Sequence, residues 1–136
     1  MSAAAATDLR TAIFNALAAD PDITNRIGAN RIYEEAPPQV DTPYVILGGV
    51  RVRDWSTSSD DGSEHIFDLE IWSRHHGVSE CMDIAELVET ALYSSPPALL
   101  AHTLVQLRLQ AIESGRRERA QLTFARLRYR ALLEPL

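Results

Sequence analysis

The chain contains no lysine; all 13 of its Lys/Arg positions are arginine. A GC-rich genome produces that bias through its codons, and planar, weakly hydrated guanidinium groups also suit interfaces with carboxylates. Both readings stand at this point. Cysteine is scarce too: Cys81 stands alone, which excludes an intrachain disulfide, agrees with a reducing compartment and leaves a small buried hydrophobe as its default role. Excess positive charge is absent. The net charge is -6 and no long basic run occurs, so sequence-independent adhesion to nucleic-acid phosphates is not encoded. No apolar stretch approaches a membrane span, and "MSAAAATDLR" lacks the basic start and long apolar middle of a secretory signal, so folding in a cytoplasm is expected.

Catalytic signatures are also missing. There is no G-x-S-x-G, no phosphate-cradling glycine loop, and the acidic "DWSTSSDDGSE" lacks the ligand spacing of an EF-hand. Asp68 and Glu70, two apart on one strand face, are the nearest approach to a carboxylate pair for a small hydrolase. Neighbouring arginines would lower both pKa values, which is wrong for a general acid. His75, His76 and Cys81 do not make a zinc set, because Cys81 falls on a core-facing stripe and adjacent histidines diverge. No catalytic residue, metal or cofactor is expected.

What is present is a folded, soluble composition, 46% hydrophobic and 24% charged, with clear periodicity. A helix is expected from Thr7, capped by Thr7 or Asp8 and stopped at Asp20-Pro21, with a short helical turn in "DITNRIG". Prolines confine "RIYEEAPPQVDTP" to a connector with at most a short strand. "YVILGGVRVRDW" reads as a strand with a bulge at Gly48-Gly49, and "STSSDDGS" as a mobile hairpin loop. In "HIFDLEIWSR", Phe67, Leu69 and Ile71 point one way; Ile66, Asp68, Glu70 and Trp72 point the other. Cys81, Ile84, Ala85, Val88, Ala91 and Leu92 form one helical stripe ending before Pro96-Pro97. The last stretch reads as a long hairpin, with Val105, Leu107, Leu109 and Ala111 inward, a polar tip at "ESGRRERA", and Ala125, Leu127, Tyr129 and Ala131 inward on the return.

These elements predict an α+β fold: an antiparallel sheet of about four to five strands with two main helices packed on one face. One domain over residues 1–136 is expected, with 1–7 as a flexible N-terminus. Asp68, Glu70, Gln106, Arg108, Arg126, Arg128 and Arg130 would then share the opposite face. Cross-strand pairing of these charges within the chain is one reading. The other is a subunit interface built from Ile66, Asp68, Glu70, Trp72, Arg108, Phe124, Arg126, Arg128 and Arg130, arginines with large apolar residues among them.

The combination "RIY..APP....PYV" with "L.IWSR..G..E...IA..V..AL", closed by the Arg-rich "LRYRALLE", resembles phage tail completion or tail terminator proteins from about Leu9 to Glu134. Its lysine-free composition is similar to members from gene transfer agents and prophages. The resemblance implies a homo-oligomeric ring, commonly a hexamer, at the head-proximal end of a tail tube. Such a ring stops tube growth and joins the tail tube protein to the head-tail connector or stopper protein, in a virion or gene-transfer-agent particle assembled in the bacterial cytoplasm. It implies no enzyme, cofactor or membrane. DNA would pass through without sequence-specific binding, and six copies at -6 each, -36 in all, would give an acidic bore that keeps it from sticking. The loops at 54–63 and 113–120 are the candidates for axial contacts, through Trp55, Asp60, Asp61, Arg116, Arg117 and Arg119. Alternatives are a head-tail connector or neck ring, a cytoplasmic module binding a small protein partner, and a hydrolase using Asp68 and Glu70.

Overall fold

The computed structural model describes residues 3–136. The element order is α1 (Ala3–Ala19), α2 (Pro21–Ile27), β1 (Ile32–Tyr33), β2 (Tyr44–Asp54), β3 (Ser63–Ser73), α3 (Ser79–Ser94), β4 (His102–Arg117) and β5 (Leu122–Pro135). The five strands form one sheet in the order β1-β2-β3-β5-β4. Neighbours among β2, β3, β5 and β4 pair antiparallel, and β1 joins β2 in parallel, so the sheet is mixed.

α1 begins at Ala3, earlier than Thr7, because alanine is the best helix former and Ala5 and Ala6 bury against the core. Neither Thr7 nor Asp8 caps it: the Thr7 hydroxyl donates to the Ala3 carbonyl one turn back. Of the segment expected to be flexible, only Met1 and Ser2 lie outside the described residues. α2 is capped by Asp20, whose carboxylate accepts from the Ile23 amide at 3.0 Å, and its proline sits in the first turn, where a missing amide costs nothing.

The core lies between the helices and one sheet face. Val45, Leu47, Phe67, Leu69, Ile71, Ala125, Leu127, Tyr129, Ala131 and Leu133 meet Leu9, Ile13 and Leu17 of α1, Ile23 and Ile27 of α2, and the predicted α3 stripe. Strand alternation alone places the inward set on β3 and β5. β2 slips register between Leu47 and Val50, at the two glycines. A Cβ at Gly48 would sit 2.9 Å from the Asp68 carbonyl oxygen, so the strands approach here as only glycine permits.

β4 departs from the expected alternation. Register shifts between Leu104 and Gln106 and between Leu109 and Ala111 reset its phase twice. The residues aligned with the inward positions of β5 are Leu104, Leu107, Leu109 and Ile112; Val105 is exposed, and Ala111 pairs with Arg128 on the opposite face. The strands also run further than expected. Residues 113–117 are strand, and the turn is confined to 118–121.

Candidate functional site: the charged sheet face and the ends of the sheet

The face of the sheet turned away from the helices carries a ladder of ion pairs. Register places Asp68 opposite Arg128 and Glu70 opposite Arg126. Arg128 grips Asp68 through Nε and Nη2 at 3.0 and 3.2 Å. Arg126 reaches Glu70 at 2.9 Å and Glu113 of β4 at 2.8 Å. Arg130 reaches diagonally to Glu64 at 2.6 Å, and Arg53 of β2 holds that carboxylate's other oxygen at 3.0 Å. The Arg130 hydrogen bond, outweighing burial and helped by Arg53, holds the Glu64 carboxyl below its ordinary range. Arg126, Arg128 and Arg130 are therefore neutralised by the chain's own carboxylates.

An aromatic cluster closes one end of this face. Trp72 and Phe124 lie opposite each other with centroids 5.1 Å apart, and the guanidinium groups of Arg117 and Arg126 each sit 4.8 Å from the Phe124 centroid. Ile66 is half-buried on the same face. Arg108 stands opposite Arg130, and among the described residues no ion pair engages it.

The two loops nominated for axial contact lie at opposite ends of the sheet. Ser63, at the β2–β3 turn, aligns with Leu133 near the end of β5, whereas Ser73 aligns with Thr123 beside the β4–β5 turn. The first loop is internally bonded: Trp55 N–H donates to the Gly62 carbonyl at 2.9 Å and Thr57 N–H to the Asp60 carbonyl at 2.8 Å. Trp55, Asp60 and Asp61 are exposed on it. At the second, Arg116 is tied down, donating to the Thr123 hydroxyl at 2.9 Å and lying 3.1 Å from Glu118. Arg117 and Arg119 are exposed.

Cys81 and His75 are engaged in contacts of the fold. The Cys81 thiol donates to the Ile71 and Thr123 carbonyls beneath the sheet, and burial pushes its pKa up to about 11. His75 lies 3.4 Å from Glu80, which also faces Arg26 at 3.5 Å. Among the described residues no group of three or more His, Cys, Asp or Glu is placed to hold a metal ion. Asp68 and Glu70 each end on an arginine on an open face.

Sequence reasoning missed two features. Asp8 accepts from the amides of Leu100 and Ala101 at 3.0 and 2.9 Å and from His102 at 2.9 Å, tying α1 to the start of β4. Burial opposes ionisation of that carboxyl, but these donors outweigh it and lower the pKa. The second is a groove of about 550 Å³ between the C-terminal half of α3 and β4, lined by Glu86, Glu89, Tyr93, Leu107, Leu109 and Tyr129 among others. A helix with acidic residues three apart beside a long edge strand was the signal available for it.

The family model described as "Tail completion protein gp17" matches residues 11–134. A solved chain from the structure "Virion of native gene transfer agent (GTA) particle" superposes with a TM-score of 0.88 at 28% identity, covering 98% of this chain and 99% of that one. No curated protein matches.

Proposed function

The chain belongs to the tail completion protein gp17 family, and on that premise we propose that it is a structural protein of a phage-type tail, acting as one unit over its whole length. It forms a ring, most economically of six copies, at the head-proximal end of the tail tube. There it ends tube polymerisation and presents the surface to which the head-tail connector docks. The observation that carries the reading is the end-to-end likeness to a chain of a gene transfer agent virion, which leaves almost no part of either chain unmatched. The particle, assembled in the bacterial cytoplasm, is accordingly where the protein resides.

The residue chemistry supports a scaffold that transforms nothing. The paired carboxylates of the open face are engaged by arginines of the same chain, which occupy the oxygens a substrate would meet. The two exposed loops point from opposite ends of the sheet. A terminator needs two unlike ends, one matching the last tube ring and the other refusing further tube subunits. Six copies would carry -36, and an acidic bore would let DNA pass without adhesion.

Electron microscopy of particles from cells lacking the gene tests the role. Overlong or headless tails are expected. Complete tails of normal length on unjoined heads would assign the protein to the neck instead, and wild-type particles would remove it from the joint altogether. A particle reconstruction with arginines lining the bore would sink the acidic-channel idea.

A further inference from the structure

β4 is an edge strand of sixteen residues that pairs on one side only, with β5. Edges of that length are templates for association unless blunted by proline, charged side chains, bulges or a covering segment. β4 has no proline, lysine or covering strand among the described residues; two bulges interrupt it near Val105 and Gln110, and Val105 and Ile112 are exposed on it. The opposite edge is treated differently: β1 covers the start of β2, and Arg10 donates to the Leu47 and Gly48 carbonyls at the bulge.

The groove beside β4 has unmet chemistry of its own. Tyr129 borders it; the residue is 3% exposed and its buried hydroxyl oxygen has no hydrogen-bond partner among the described residues. Buried hydroxyls without partners are rare in completed structures. On the α3 side Glu86 and Glu89 are exposed, and no ion pair engages either among the described residues. Arg108 also borders the groove, but its register opposite Arg130 assigns its side chain to the other face.

The β4–β5 hairpin tip has the complementary charge. Arg116, Arg117 and Arg119 against Glu118 leave it +2, and no carboxylate pairs with Arg117 or Arg119 in the described chain. A chain cannot seat its own tip in its own groove: Arg117 lies eight residues beyond Leu109 along β4, about 26 Å at ~3.3 Å per residue. Tip and groove are thus two different patches on one molecule, the arrangement that closes into a ring when repeated head to tail.

We propose that the α3–β4 groove receives the β4–β5 hairpin tip of the neighbouring copy, a lateral contact in place of the axial one expected of that loop, with that copy's Arg117 and Arg119 meeting Glu86 and Glu89 and its turn covering the β4 edge. The proposal rests on the ring reading above and supplies the contact that builds it.

Two measurements on the full-length chain test it. Glu89→Cys combined with Arg119→Cys should give, on mild oxidation, a ladder of covalent multimers on a non-reducing gel. Each single variant should give no species beyond a dimer, and Cys81 is buried and silent. Charge reversal provides the second arm. Glu86→Arg with Glu89→Arg in one chain, and Arg117→Glu with Arg119→Glu in another, should each weaken association at least tenfold by analytical ultracentrifugation. Mixing the two should restore the wild-type mass, because each groove then faces a tip of opposite sign. A wild-type oligomer whose cysteine pair gives no ladder, and whose reversals keep their mass, overturns the groove assignment and leaves the ring intact. Reversals that associate normally but fail to engage the tube protein assign the groove to the tube, again overturning the proposal. A wild-type chain that is monomeric alone and single-copy in particles refutes the ring itself.

Discussion

Glu64 and Arg130 form the least exposed ion pair of the open face, and its energetics follow from where each group sits. The Glu64 side chain is 9% exposed and Arg130 29%, at 2.6 Å, while Arg53 on the second carboxylate oxygen is 61% exposed. Arg130→Ala leaves a nearly buried carboxylate with only a solvated guanidinium beside it. Removing one partner of a buried pair costs about 3–5 kcal/mol; retention of Arg53 and the partial exposure of Arg130 reduce the expected loss to about 2 kcal/mol. The double variant Glu64→Leu/Arg130→Met removes the orphan charge and keeps the volume, so its stability is expected within about 1 kcal/mol of wild type. Urea unfolding followed by circular dichroism at pH 7 measures both, at two protein concentrations because association feeds into apparent stability. The Arg130→Ala loss should survive 1 M salt, which screens exposed pairs, whereas any contribution of the more open Asp68–Arg128 pair should vanish there. A double variant as unstable as Arg130→Ala, or a loss erased by salt, would refute the assignment of this pair to a desolvated site.

Three further outcomes follow from other parts of the fold. Burial, with His102 nearby, holds the His65 pKa below its ordinary 6.5, and its Nδ1 has no hydrogen-bond partner among the described residues. The unfolded chain therefore takes up that proton first, so stability is full above about pH 6.5 and declines as pH falls below it; His65→Gln should flatten this limb in urea titrations. Glu64, lowered from 4.5, adds a second decline as pH drops through its folded value, and that one should persist in His65→Gln. Cys81, buried with its pKa raised to about 11, should react with a disulfide reagent at pH 8 at least about a hundredfold more slowly than in the urea-unfolded chain; fast labelling would contradict its place beneath the sheet. At Gly62 an added Cβ would lie 2.8 Å from the Trp55 ring and 2.9 Å from its carbonyl oxygen, whereas nothing lies within 4 Å at Gly49. Gly62→Ala should cost about 1–2 kcal/mol by overpacking and Gly49→Ala far less, as thermal unfolding would read.

Much of this architecture is legible in the sequence wherever one periodicity acts alone. The α3 stripe and the inward residues of β3 and β5 follow from 3.6 and 2.0 spacing, and Gly48-Gly49 announces the β2 bulge. β4 is where the reading fails, because alternation from Val105 to Ala111 is locally perfect and yet two bulges break it. The larger residues carried the correct phase: Leu104, Leu107, Leu109 and Ile112, spaced three, two and three, are the ones aligned with the core side of β5. The early start of α1 follows from alanine's propensity and from the burial of Ala5 and Ala6, neither of which requires a cap at Thr7. The Asp8 contacts join residues more than ninety positions apart, and nothing local encodes such a pairing.

The distribution of paired and unpaired charge changes which surfaces can do the assembling. Eight of the thirteen arginines, at positions 10, 26, 31, 53, 116, 126, 128 and 130, already face a carboxylate of their own chain. A neighbour docking on the ladder face would have to compete with those pairs, and exposed pairs exchanged for equivalent ones yield little net energy. The proposed contact therefore draws on charges without an oppositely charged partner among the described residues. Of these, Arg117, resting on Phe124, and Arg119 sit together at one end of the sheet, and Glu86 and Glu89 sit together on α3. The ladder spans the β3–β5 pair, while its rim at Trp72 and Phe124, crowned by Arg117, lies at the same end of the sheet as the hairpin tip. In the ring proposed above this division has a consequence: a face already satisfied presents no second attractive patch on which additional copies would stack.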